Sequence, residues 1–286
     1  MTLSGSFYVI MILMNEMKKA NRMKNPTEDT PIGNLSEIEI EGNTVLRNLR
    51  PYSPSVHRLL LHLNTKGIDF VPRFLGVSGD CERISFMPGQ VAADYPLSRT
   101  PSQQEIAIRA AAKMLRALHD ASADFKESAN DVWFLSYPGD LPREVICHND
   151  FAPYNITFKN KMPVGLIDFD TACPAPRIWD IAYAVYRFIP LGRETFDPGA
   201  NRYRPYDSKD AAIRKRLLYA FVDAYGGVDA AAVLQQVPLR LQALVDLFDV
   251  QCQKGDPAFI RMKQEGHQLL YRDEIAFVRA HANEWI

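Results

Sequence analysis

Asp150, Asn155 and Asp168 are the side chains whose types and spacing could do chemistry. Asp150 follows an apolar run, Val145-Ile146-Cys147, by way of His148 and Asn149, and Asn155 comes five residues later. Asp168 lies in Ile167-Asp168-Phe169-Asp170, at the end of a second apolar run, Val164 to Ile167. One carboxylate and one amide oxygen make a hard-oxygen pair suited to Mg²⁺, which takes few protein ligands and keeps its waters. The other carboxylate is then free to accept a proton from an attacking hydroxyl. Phosphoryl transfer needs little more than such positioning and charge neutralisation.

Convergence depends on the elements that carry these residues. Val145 to Cys147 reads as a short buried strand ending at His148. Asn155-Ile156-Thr157-Phe158 and Val164 to Ile167 flank Lys159-Asn160-Lys161 and read as a hairpin, which sets Asn155 beside Asp168. Upstream, Glu37 to Glu41 alternates with Ile38 and Ile40, and Gly42-Asn43 turns the chain into Thr44 to Arg47, a second hairpin. Ser53-Pro54 starts a helix with Val56, Leu59, Leu60 and Leu63 on one face. Strands over 70–76 and 83–87 follow, and Pro88-Gly89 ends this part. Ser102 to Glu105 fits a capping box ahead of a helix with Ile108, Ala111, Ala112, Leu115 and Leu118 on one face. Beyond Trp179 the pattern is helical over 181–188, 211–225, 238–252 and 257–281, with a break at Gly266. The fold class expected is α+β: a small antiparallel sheet with one helix (residues 31–89), then a larger helical part (residues 90–286). A cleft lies between them.

His148-Asn149-Asp150-Phe151-Ala152-Pro153-Tyr154-Asn155 with Ile167-Asp168-Phe169-Asp170 resembles the catalytic signature of small-molecule kinases of the aminoglycoside phosphotransferase and choline kinase type. Pro176-Arg177-Ile178-Trp179-Asp180 resembles the segment that follows in that family. The resemblance implies a bilobal protein-kinase-like fold, ATP or GTP with Mg²⁺ as cofactors, and a small-molecule hydroxyl acceptor. Asp150 would be the base, Asn155 and Asp168 the metal ligands, and Asp180 a brace for the loop or a helix cap. His148 stands with Asp150 as a catalytic candidate, although Asp150 already fills the base role and hydrogen bonding is the alternative for the histidine. Asp170 reads as a solvated carboxylate, with a second metal contact as the alternative.

The nucleotide side departs from the family pattern. There is no glycine-rich loop; Gly33-Asn34-Leu35-Ser36 offers backbone N–H groups, with Asn34 as the contact. Arg47 stands where the family has a lysine, and residues 52–66 carry no acid to pair with it, His57 occupying that place. Met87, before Pro88-Gly89, is the candidate adenine contact at the hinge. Pro51 to His57 also resembles trifolitoxin immunity-type proteins, which implies a second reading: a kinase-like binder that confers immunity to a toxin. For a cationic acceptor, Asp223, Asp246, Asp249, Tyr225 and Trp179 are candidates, with solvated helix faces as the alternative.

Composition sets the remaining bounds. With 286 residues, 47% hydrophobic and 23% charged, the chain can bury a substantial core. A net charge of −1 gives no long-range attraction to nucleic acid or to an anionic membrane. The four cysteines have no zinc spacing and read as free thiols. The apolar run Phe7 to Met14 is too short for a bilayer, which takes about 20 residues. Lysines follow the run instead of preceding it, so residues 1–30 read as a leader or misassigned start and the protein as cytoplasmic.

Overall fold

The computed structural model describes residues 38–91, 101–197 and 202–286. Residues 1–30 and Asn34 lie outside them. β1 (Ile38–Glu41) and β2 (Thr44–Asn48) form the expected hairpin, turning at Gly42 with φ +59°. A side chain is strained at that backbone angle. α1 (Ser53–Thr65) buries Val56, Leu59, Leu60 and Leu63, the predicted face, and Pro54 opens it without costing a hydrogen bond. β3 (Phe74–Ser78) begins later than predicted, because Pro72 lacks the N–H a ladder needs. With β4 (Cys81–Ser85) these strands make an antiparallel sheet in the order β1-β2-β4-β3.

The chain crosses to the second part through Phe86 to Gly89. β5 (Gln90–Val91) then pairs with β7 (Ile156–Lys159), which pairs in turn with β8 (Met162–Leu166). A side chain at Gly89 would meet the Phe158 carbonyl oxygen at 2.9 Å, and one at Gly165 would meet Thr157 Oγ1 at 2.4 Å and Met87 Cε at 3.0 Å. Met87 therefore packs against the β7–β8 hairpin and ties the two parts together.

α2 (Pro101–Ser122) already includes Ser102, so that residue lies inside the first turn and not ahead of it. β6 (Val145–Cys147) pairs antiparallel with β9 (Cys173–Ala175). α3 (Arg177–Phe188) starts four residues earlier than predicted, with Pro176 at its cap. β10 (Glu194–Asp197) and β11 (Arg202–Pro205) form a hairpin the sequence reading did not foresee. α4 (Ala211–Tyr225) matches its prediction. α5 (Ala230–Gln253) starts eight residues before Pro238, capped by the Asp229 side chain, which accepts from the Ala232 N–H at 2.8 Å. Pro238 lies inside it and marks no start. α6 (Pro257–Gln264) and α7 (His267–His281) break at Gly266, whose φ of +89° suits glycine. One continuous core joins α1 to α2, the β7–β8 hairpin and the C-terminal helices.

Candidate active site

The β6–β9 pair and the β7–β8 hairpin present Asp150, Asn155 and Asp168 at one edge. Phe151 and Ala152 are fully buried, so the loop after β6 is anchored by its apolar residues. Pro153 to Asn155 forms a 3₁₀ turn that carries the chain into β7. Asn155 Nδ2 donates to Asp150 twice, to the carbonyl at 3.0 Å and to Oδ2 at 2.8 Å. The Tyr154 hydroxyl donates to Asp150 Oδ1. Burial is the main force lifting the Asp150 carboxyl above the usual carboxylate range, against these bonds and the positive pull of Arg187. A carboxylate so lifted is better matched to taking a proton near neutral pH.

Asp168 sits at φ 66°, ψ 71°, a left-handed conformation uncommon for a residue with a side chain. Its side chain is 52% exposed, and Asp150 and Arg47 both act on it electrostatically. With Asn155 Nδ2 turned to Asp150, its Oδ1 is the atom left to take a cation. Asp150, Asp168 and Asp170 gather three carboxylates against Arg47, a deficit of positive charge that a divalent ion would offset. The donor set therefore fits Mg²⁺ at Asp168 and Asn155.

His148 is fully buried, its Nε2 donating to the Ile167 carbonyl at 3.0 Å and its Nδ1 accepting from the Asp150 N–H at 3.3 Å. Both ring nitrogens are spent on backbone, so the histidine orients Asp150 and ties it to the Asp168 strand. This arrangement does not fit it as a proton-transfer group. Asp180 lies in the first turn of α3 and is no N-cap. It is fully buried and accepts from the His148 N–H at 2.7 Å, the Asn149 N–H at 3.0 Å and His119 Nε2 at 3.1 Å. Burial works to raise its carboxyl, but His119 and His148 hold it below the usual range. His119, Cys147 and Asp180 stand close enough to hold a metal, yet both Asp180 oxygens are already committed to the loop. Asn149 takes a left-handed φ of 63° above this brace, and its carbonyl accepts from Arg240 Nη2 at 2.6 Å. Asp180→Ala strands two buried N–H groups and His119, so we expect a loss of about 3 kcal/mol in unfolding free energy. Urea denaturation measures it, and a loss below about 1 kcal/mol would contradict the bracing role.

Arg47 is where the structure corrects the sequence reading most. Its side chain is 9% exposed, with Nε 2.9 Å from Glu82 Oε1, Nη1 2.7 Å from Asp170 Oδ1 and 4.0 Å from Asp168. The acidic partner comes from β4 and not from the helix: Glu82 lies directly opposite Arg47 in the β2–β4 register. His57, in the place where an acid was sought, bonds Glu82 Oε2, and the Ser53 hydroxyl donates to Glu82 Oε1 at 3.2 Å. Burial opposes ionisation of Glu82, but His57 and Arg47 together hold its carboxyl below the usual range. Opposite charges favour directly facing positions on paired strands, but the strand predicted over 83–87 begins one residue after Glu82, so the pair is not visible in the sequence reading.

Asp170 is buried and not solvated as expected, with the Tyr52 hydroxyl donating to Oδ2 at 3.2 Å. Burial first, and Asp168 second, push its carboxyl up to about 6 against the pull of Arg47. A raised native pKa means that the folded chain takes up this proton before the unfolded one does. The stability it contributes is complete below the ordinary value of 3.8 and is lost as pH rises through about 6. Relative to Asp170→Asn, the wild type should therefore lose stability between about pH 4 and 7. A pH-independent difference in urea midpoint would refute this.

The residues considered for a cationic acceptor do not gather at Asp150. Tyr225 is bonded to His119 behind the loop, and Trp179 packs on Tyr137. Asp249 accepts from Lys263 and Gln268, Asp246 from Gln242, and Asp223 is exposed.

Comparison with known proteins bears on this arrangement. Residues 132–213, which include all of the catalytic-type loop, match the phosphotransferase enzyme family. The trifolitoxin immunity protein of Rhizobium leguminosarum bv. trifolii is 33% identical over 159 residues, 54% of this chain and 59% of that protein. The chain thus spans less than two thirds of that relative's length. Among solved structures, a macrolide 2′-phosphotransferase from Brachybacterium faecium superposes with a TM-score of 0.53 at 16% identity, over 86% of this chain and 94% of that one. The gentamicin complex of APH(2″)-IIa gives 0.52 at 14%, over 91% and 97%. The chain has the protein-kinase-like fold of these neighbours, and the segment that holds Asp150, Asn155 and Asp168 matches the phosphotransferase enzyme family.

Proposed function

We propose that this chain transfers the γ-phosphoryl group of ATP or GTP to a hydroxyl of a small molecule. The observation that carries the reading is Asp150, oriented by Asn155, Tyr154 and His148 at a cleft whose other carboxylate is the half-exposed Asp168. Asp150 takes the proton of the acceptor hydroxyl as its oxygen attacks phosphorus. Asp168 and the Asn155 amide oxygen would hold Mg²⁺, which would supply neutralisation of the phosphate charge. Arg47, fixed by Glu82, places its guanidinium beside Asp168, where it can share that task. Asp180 keeps the loop in place from behind. Met87, packed between the two parts, lies on the adenine side. Such a reaction draws on cytoplasmic nucleotide, and the cytoplasm is where we place the protein.

The likeness to an immunity protein favours a second reading, a kinase-like binder that sequesters a toxin without turnover. Thermal unfolding with and without Mg·ATP and Mg·GTP, followed by nucleoside diphosphate release across hydroxyl compounds, separates the two. The kinase reading expects stabilisation by one nucleotide and acceptor-dependent release. Absence of both would leave the binder.

A further inference from the structure

Arg240, on α5, sets a cation behind the loop that carries Asp150. It is 3% exposed, and its guanidinium lies 4.6 Å from the Tyr183 ring centre and 5.6 Å from that of Trp179. Those two rings are buried and stand one turn apart on α3, so together they aim the guanidinium. Among the described residues Arg240 has no ion pair. Its one hydrogen bond runs from Nη2 to the Asn149 carbonyl at 2.6 Å, and its buried Nε has no partner. The Cys147 and Cys173 thiols feel its charge, but burial pushes both up, Cys173 to about 11, so neither is an anion that could pair with it. A buried charge without a carboxylate partner is costly, and packing alone gives no reason for an arginine here.

The bond falls on the peptide unit from which Asp150 projects. The Asn149 carbonyl and the Asp150 N–H are the two ends of one rigid amide plane. Arg240 holds the oxygen end at 2.6 Å, and His148 Nδ1 accepts from the other end at 3.3 Å. The short, charge-assisted bond is the tighter hold on that plane. Asn149 needs such a hold, because its φ of 63° is uncommon for a residue with a side chain. A return to the ordinary backbone region would swing the plane and Asp150 with it. Other contacts secure the plane before Asn149: its N–H donates to Asp180 Oδ1 at 3.0 Å, and the Thr171 hydroxyl donates to the His148 carbonyl at 2.9 Å. Tyr154 and Asn155 hold the Asp150 carboxyl itself. The plane between these two sets of contacts is left to Arg240 and His148.

We infer that Arg240 is a positioning residue for Asp150: it fixes the peptide plane from which the base projects and acts on the reaction only through that carboxylate. This rests on the phosphotransferase reading and adds a residue to it from a helix remote in sequence. A hydroxyl attacking phosphorus must meet Asp150 at hydrogen-bond distance, and misplacing such a group by about 1 Å lowers the rate by about a hundredfold. On the same reading nucleotide and metal belong to Arg47, Asp168 and Asn155. Arg240 therefore governs kcat and not KM for the nucleotide.

The test uses the full chain with Mg·ATP and Mg·GTP, water or glycerol supplying the hydroxyl, and follows nucleoside diphosphate release. Arg240→Met keeps bulk against Tyr183 and Trp179, and Arg240→Lys can still donate one bond to the Asn149 carbonyl. We expect Arg240→Met to lower kcat per folded molecule by about a hundredfold with KM for the nucleotide little changed. Arg240→Lys should keep at least about a tenth of wild-type kcat. In an Asp150→Ala background Arg240→Met should lower the residual rate no further, because the two residues act as one unit. Hydrogen–deuterium exchange of Arg240→Met should rise in the peptide over 148–155 and not across α1. A purely structural role would lower thermal stability and leave kcat per folded molecule unchanged. If Arg240→Met fails to fold, Arg240→Gln, too short to reach the carbonyl, takes its place. Unchanged kcat, an equal loss in Arg240→Lys, or a further loss in the Asp150→Ala background overturns the inference and leaves the phosphotransferase reading standing. Release of no nucleoside diphosphate by the wild type overturns that reading, and the inference with it.

Discussion

Asp150→Asn should lower kcat by about a thousandfold, the usual scale for loss of a positioned base. The substitution keeps shape and removes the proton acceptor. It also has a local consequence: Asn155 Nδ2 donates to Asp150 Oδ2 at 2.8 Å, and an amide nitrogen placed there would face another donor. Either the new amide turns its oxygen to Asn155 and loses the Tyr154 bond, or Asn155 reverses and withdraws its oxygen from the cation. Asp150→Ala separates these effects, since it removes the base without presenting a donor. Both variants should lose turnover, and only Asp150→Asn should weaken the Mg²⁺ dependence. Single-turnover kinetics with titrated Mg²⁺ give the comparison. Retention of more than about a tenth of wild-type kcat in Asp150→Ala would exclude the carboxylate as base.

Asp168→Asn should abolish stabilisation by Mg·ATP. At nucleotide about a hundredfold above its dissociation constant, binding adds about 2.7 kcal/mol to a folded protein. For a chain of this size that is a rise in melting temperature of roughly 5–10 °C. Asparagine tolerates the left-handed backbone at this position better than other neutral residues, so the fold should survive. Without ligand the variant should melt no lower than the wild type, because it removes one carboxylate from a crowded group of three. A full Mg·ATP shift in Asp168→Asn would place the metal elsewhere. Differential scanning fluorimetry with a magnesium-free control resolves the two outcomes.

Much of this site was legible because its elements are local. The apolar strand before His148, the short hairpin from Asn155 to Asp168 and the punctuation at Gly42 and Gly266 each follow from a few neighbouring residues. Helix starts were less legible where proline occurs in two roles. Pro54 opens α1, whereas Pro238 lies inside α5, and the burial of Val233, Leu234, Val237 and Leu241 outweighs its lost hydrogen bond. The β10–β11 hairpin gave no clear alternation, so nothing local announced it.

The sequence alone determined which atoms could do the chemistry: Asp150, Asn155 and Asp168 follow from residue type and spacing along two strands. Tertiary structure decided how those atoms are held and what surrounds them. Arg47 has its acid from the facing strand, because strand pairing joins residues that are 35 positions apart in the chain. His148 is occupied by backbone on both nitrogens, and Asp170 is buried, because packing of the two parts removes water from both. The surroundings of Tyr183 were the least legible feature, since Arg187 and Arg240 come from separate helices and only folding sets both against its ring.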